Sequence, residues 1–325
     1  MRRLFFGFLA AILLLPMSMV SVLAAQDATP ESAFSDLGLP TLDITATADA
    51  YEGIPDSIEA GRYLVTVTAL EEAGQFGAGV AFIQPAGVTG DEFISMLGEV
   101  SGPPDESGVG AAAATPIEGG AATPAEGTEE MGGPPDVFYQ SLYAGGTFAL
   151  PGETSQVVLD LTPGEWVAWG DDPGSPQAPV AFEVTGEMPA ELPEPESAAT
   201  LTMGEYVIEV TEGEITSGQQ VLRIDNIGAQ PHFIAAGTTQ LDVTGADIEA
   251  VLEAEMTGTP AAVDFNPDED LEEAFYSGTQ SMGTSQWIVA DIQPGTLIMI
   301  CFFPDIEDGM PHAFYGMYTI VEVAE

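Results

Sequence analysis

Cys301, His312 and Met317 stand close together in the last stretch of the chain, "CFFPDIEDGMPHAFYGMYTIVEV". The whole sequence of 325 residues has one cysteine and two histidines, so a thiol, an imidazole and a thioether side by side call for a reason. Taken singly, a lone cysteine packs as a small hydrophobe and a lone histidine is a satisfied structural residue. Taken together, thiolate, imidazole and thioether are the donors that suit copper in both of its oxidation states. The other histidine, His232 in "RIDNIGAQPHFI", is far away in sequence, so only a fold can bring it to the rest.

The elements that could do this are strands. Segments such as "RYLVTVTAL", "EYVIEVTEG", "VLRIDNIG" and "TLIMICFF" alternate or run apolar, with Gly and Pro between them, and read as an all-β sandwich. A sandwich gathers the loops of distant strands at one pole. The pattern also occurs twice. "VAFIQPAGVTGDEFISMLGEV" and "GETSQVVLDLTPGEWVAWGDDPGSPQAPVAFEV" in the first half are echoed by "PHFIAAGTTQLDVTGADIEAVLEAE" and "GTSQWIVADIQPGTLIMICFFPDIEDGMPHAFYGMYTIVEV" in the second. Two tandem domains of one fold follow, at 40–188 and 200–325, joined by a Pro-stiffened linker at 189–199. Each half carries one segment of helical period opened by a capping box, Thr89 with Glu92 and Thr244 with Asp247, so one short helix per domain is expected. Residues 101–135, built from Ala, Gly, Pro, Thr and Glu, cannot bury enough apolar surface to order and read as a disordered insertion.

"NIGAQPHFI", then "CFFP", "PH" and "GM" before a final strand, resembles the cupredoxins, the plastocyanin- and azurin-like blue-copper proteins of Greek-key β-sandwich fold. The resemblance spans 200–325. It implies one type 1 copper held by His232, Cys301 and His312 in a trigonal set, with Met317 as a weak axial ligand. Two departures stand out. Ten residues separate Cys301 from His312, a loop nearer in length to that of copper nitrite reductases than to that of the small members, and its "DIEDGM" should form an acidic flap beside the metal. Phe233 follows the first histidine where many members have an Asn that braces the ligand loop. Tyr315 and Phe314 are expected to pack over the site or its rim, and His312 to be the electron exit. In the first domain Ala81 stands opposite His232, Gly170 opposite Cys301, and "SPQAPVAF" has no histidine opposite His312. That domain reads as a copy that keeps the sandwich and has no metal ligands.

Composition bounds the function. Residues 1–25, with Arg2, Arg3 and the run "LFFGFLAAILLLP", read as a secretory signal followed by a flexible lead-in at 26–39, so the protein is expected to be exported, whether secreted, cell-surface or periplasmic. An uncleaved leader would instead give membrane association. The formal charge of −48 repels nucleic acid and anionic lipid and favours redox partner proteins with a basic docking surface. It suits either high salt or low pH. A lone cysteine excludes an internal disulfide and a binuclear copper centre, and with both histidines used no second catalytic copper can be built. The acidic run "DFNPDEDLEEAF" lacks the glycine and spacing of a calcium loop and reads as solvated. The expectation is a one-electron carrier and not an enzyme. The alternatives are a copper-scavenging protein without redox cycling, or a metal-free β-sandwich interaction module.

Overall fold

The computed structural model describes residues 33–75, 77–101, 134–171 and 175–324. Residues 1–25, expected to be a secretory signal, and nearly all of the 101–135 insertion lie outside the described residues. The first half contains β1 (Thr41–Ala46), β2 (Tyr51–Glu52), β3 (Ser57–Glu59), β4 (Gly61–Ala69), β5 (Ala78–Gln84), α1 (Gly90–Ser101), α2 (Asp136–Gln140), β6 (Leu142–Ala149), β7 (Thr154–Leu161), β8 (Gly164–Trp169) and β9 (Val180–Thr185). The second contains β10 (Ala199–Gly204), β11 (Val207–Gly213), β12 (Gly218–Asn226), β13 (His232–Thr239), α3 (Gly245–Thr257), α4 (Pro267–Asp270), β14 (Glu272–Gln280), β15 (Ser285–Ile292), β16 (Gly295–Ile300) and β17 (Tyr318–Val323).

These strands form two tandem β-sandwiches of like topology, and the two halves share their sheets. One sheet runs β11-β10-β12-β15-β7-β4-β1-β2, the other β17-β16-β13-β14-β6-β5-β8-β9-β3. Each order reads almost the same from either end, because β10 and β12 pair in parallel as β1 and β4 do, and β12 and β15 pair antiparallel as β4 and β7 do. The halves therefore meet about a pseudo-two-fold axis, through β15 on β7 and β14 on β6. Inward residues from both sheets, among them Val65, Phe82, Trp166, Leu201, Ile224 and Met299, make one continuous core. Each buried aliphatic chain in it contributes about 1.5–3 kcal/mol.

Both capping boxes form. Thr89 N donates to Glu92 Oε2 at 2.8 Å and Glu92 N to Thr89 Oγ1 at 3.2 Å; Thr244 N donates to Asp247 Oδ2 at 2.8 Å. The helices α1 and α3 lie on the outer face of the second sheet, α1 through Phe93 and Leu97 and α3 through Ile248, Val251 and Leu252. One short helix per half was expected; the single-turn helices α2 and α4 are additions, α4 being started by the Asn266 cap on Asp268 N and by Pro267. The ladders also correct one correspondence. Ala81 faces Trp169 as Ala235 faces Ile300, so the residue level with His232 is Ala78 and not Ala81. The repeated "FI" had masked a shift of three residues, and both strands carry a register irregularity at that point. Gly170 follows the end of β8 as Cys301 follows the end of β16.

At the seam two glycines let backbones touch. A Cβ on Gly278 would stand 2.3 Å from Gly146 N, and one on Gly146 would stand 2.2 Å from Val80 O. Neither neighbour is a flexible side-chain end, so no rotamer change relieves the clash. Gly278→Ala should lower stability by about 3 kcal/mol, seen as a lower urea midpoint, whereas Gly98→Ala, with open space around it, should be neutral or stabilising.

The α3 helix has its own pH signature. Burial, reinforced by Asp268, pushes the Glu255 carboxyl up to about 7. The folded state therefore holds its proton more tightly than the unfolded one, and stability is lost as pH rises from the ordinary carboxylate range through about 7. Glu255→Gln should raise the melting temperature at pH 8 and leave it unchanged at pH 4, by thermal denaturation followed with circular dichroism.

Candidate metal centre

Each donor is delivered by the end of a strand. His232 opens β13, Cys301 directly follows β16, and His312 begins a short 3-10 turn, His312–Tyr315, that leads to Met317 and β17. Since β13 and β16 are paired, their ends at the same pole bring His232 to Cys301 across 69 residues of sequence. The ligand loop is closed by its own backbone. Cys301 N donates to Met317 O, Met317 N to His312 O and His312 N to Phe303 O, all at 2.9–3.1 Å. Gly316, at φ 90°, makes the reversal that turns Met317 inward.

The three donors converge. His232 Nδ1 lies 2.9 Å from His312 Nδ1, and Cys301 Sγ lies 3.9 and 3.8 Å from these two nitrogens. Within that triangle, a point about 2.0 Å from each nitrogen falls about 2.2 Å from the sulfur, close to metal–imidazole and metal–thiolate bond lengths. His232, Cys301, His312 and Met317 are all fully buried, and the sulfurs of Cys301 and Met317 sit in the main core. Among the described residues this is the one cluster of three or more His, Cys or acidic side chains that could hold a metal ion. The acidic run near residue 268 forms α4 and the start of β14 instead.

Burial sets the charge states. It pushes the Cys301 thiol up to about 12, while the backbone amides of Phe233 and Phe303 pull in the opposite direction. It lowers His232 to about 4 against the opposing pull of Glu205, and lowers His312 to about 4 with the help of a charge on His232. Without a cation the pocket therefore holds a neutral thiol and neutral imidazoles. A metal that displaces the thiol proton supplies the positive charge that the pocket lacks.

A cover closes over the imidazoles. Asp305, from the acidic flap, is buried and accepts from Tyr206 Oη at 2.6 Å and from Gln230 Nε2 at 2.8 Å. Glu205 accepts from Gln230 N at 3.0 Å. The Tyr206 ring lies 5.4 Å from that of His312, and Tyr315 stacks on Tyr206 at 4.9 Å. Tyr139 of the first half donates to Asp305 O at 3.2 Å. This cover corrects the expectation that His312 lies next to the surface. The ring is 0% exposed, because the long loop folds Asp305 back over it and the 205–206 turn closes the remaining side. Tyr315 does lie at the rim, whereas Phe314 turns away to pack with α3. Phe233 braces no loop; it stacks on Tyr276 at 5.6 Å. Glu205, Tyr206 and Gln230 gave no signal in the sequence beyond the compact turn "MGEY", where Tyr206 takes the left-handed conformation at φ 58°.

No protein-family model and no curated protein matches the chain. Its structural neighbours are cupredoxins and copper enzymes. A dithionite-reduced auracyanin from Roseiflexus castenholzii is 22% identical, covering 39% of this chain and 95% of its own, with TM-score 0.26. Auracyanin A, a "blue" copper protein from Chloroflexus aurantiacus, is 19% identical over 38% of this chain and 95% of its own, with TM-score 0.25. A copper nitrite reductase from Nitrosomonas europaea is 10% identical over 88% and 94%, with TM-score 0.23. At these scores the chemistry of the site rests on its own residues. No helix among the described residues is long and apolar enough to cross a membrane.

The enclosed thiol makes one prediction. In the metal-free protein Cys301 should resist Ellman's reagent at pH 8 for hours and react within minutes in urea. Rapid labelling of the native chain would show that the pocket is open.

Proposed function

We propose that the chain is an exported one-electron carrier with a single type 1 copper, held by His232, Cys301 and His312 with Met317 as the axial thioether. The observation that carries this reading is the triangle of two Nδ1 atoms and one Sγ, sized for a metal and closed to solvent. Copper bound there would supply the electron-accepting centre. The protein fixes a trigonal donor set that changes little on reduction, keeps water out, and offers a weak fourth ligand that sets the potential. Both histidines of the sequence are used in this set, which leaves none for a catalytic copper. The reading is therefore a carrier and not an enzyme. The first half, 40–188, serves as a metal-free copy that supplies half of each sheet and part of the cover. The net charge of −48 favours partners with a basic docking surface.

The purified chain from Gln26 onward should develop an intense blue or green absorption band with one equivalent of Cu(II), and Cys301→Ser should abolish it. Absence of the band at stoichiometric copper would sink the reading. A band that bleaches irreversibly on reduction, with copper passing readily to a chelator, would point instead to a scavenger.

A further inference from the structure

With both Nδ1 atoms turned toward Cys301, the opposite ring nitrogens are the atoms left over. His232 Nε2 and His312 Nε2 are buried and have no hydrogen-bond partner within range. Each faces a carboxylate: His232 Nε2 is 3.7 Å from Glu205 Oε1, and His312 Nε2 is 3.9 Å from Asp305 Oδ2. The two carboxylates come from different loops and are tied to each other by one residue. Gln230 donates its amide to Glu205 and its Nε2 to Asp305, and its Oε1 accepts from Ile306 N at 2.8 Å. Tyr206 Oη and Glu307 N supply further donors to Asp305. All of these donors favour the ionised carboxylate, so each acid is held in place as an acceptor.

We propose that Glu205 and Asp305 are positioning residues of the metal centre, each facing the Nε2–H of one ligand imidazole, so that Nδ1 is kept free for the metal and the centre is biased toward its more highly charged state. This deepens the copper reading and rests on it. An imidazole that donates its second N–H to a carboxylate is fixed in tautomer and orientation and is a more basic ligand. Two negative charges behind the ligands stabilise Cu(II) over Cu(I); Asp305, 2% exposed, is little screened, whereas water screens Glu205, 38% exposed, more strongly. Asp305, 2% exposed, does not serve as a solubilising surface carboxylate.

The test uses the full mature chain loaded with copper and compares wild type with Glu205→Gln, Asp305→Asn and the double variant, with Glu253→Gln, on the exposed side of α3, as the control. Both amides keep an acceptor oxygen for the Gln230 and Tyr206 donors and remove the charge. The ratio of Cu(II) to Cu(I) affinity, measured by chelator competition, should fall about tenfold for each single variant, an upward shift of about 59 mV in the one-electron potential. The double variant should move further and the control should not move. Nitrogen-15 NMR of the Cu(I) form of wild type should show both imidazoles protonated at Nε2. If Asp305→Asn fails to fold, Glu205→Gln decides alone, because Glu205 is 38% exposed and tolerates exchange. A wild type that forms no copper band overturns the function itself. A normal band in every variant, with affinity ratios within twofold of wild type, overturns this inference and leaves the function standing.

Discussion

Two imidazole nitrogens 2.9 Å apart beside a buried thiol form the arrangement on which the rest of this half depends. Polar groups removed from water cost free energy unless they are paired, and these donors are paired with one another only in part. What holds them there is the sandwich itself. The ladder of β13 on β16 aligns two strand ends, and the core beneath them is filled by Leu201, Ile224, Ile234 and Met299. The loop from Cys301 to Met317 closes with three backbone hydrogen bonds, so Cys301, His312 and Met317 are set by backbone geometry. Such a pocket is preorganised, and the folding energy of the whole domain meets the cost of assembling it.

Among the described residues, the few cations of this acidic chain meet at one place. Arg62 and Arg223 are its only arginines after Arg3, and both rest over the ring of Trp287, at 4.4 and 5.3 Å. Arg62 pairs with Asp160 and donates to Pro193 O, while Arg223 pairs with Asp225 and Glu194. The two guanidiniums thus hold the linker against the face where β15 of the second half meets β7 of the first. Because Arg62 is nearly buried and its bond to Asp160 is bidentate, this contact is worth more than an ordinary surface ion pair.

The clustering of His232, Cys301 and His312 was legible because the chain is so poor in His and Cys that their placement carries information, and because Gly, Pro and apolar alternation mark strand ends plainly. The capping boxes were legible for the same kind of reason, each being a local pattern with a local cause. What could not be read is non-local. Glu205 and Gln230 come to the site from turns whose own sequences say only that the chain reverses. The burial of His312 depends on how a ten-residue loop folds back, which spacing does not determine. The three-residue offset at Ala78 shows that repeated words such as "FI" align letters, whereas ladders align space.

The seam at Gly146 and Gly278 shows how the two halves fit together. Equivalent strands of the two halves, β7 with β15 and β6 with β14, meet each other antiparallel, and the two glycines sit two residues in from the Ala144–Gln280 pair on either side. This is the geometry of an isologous interface, in which one surface binds a copy of itself. Each half is thus self-complementary along both sheet edges, as the subunit of a homodimer would be, and the symmetry is broken where Tyr139 of the first half reaches across to Asp305.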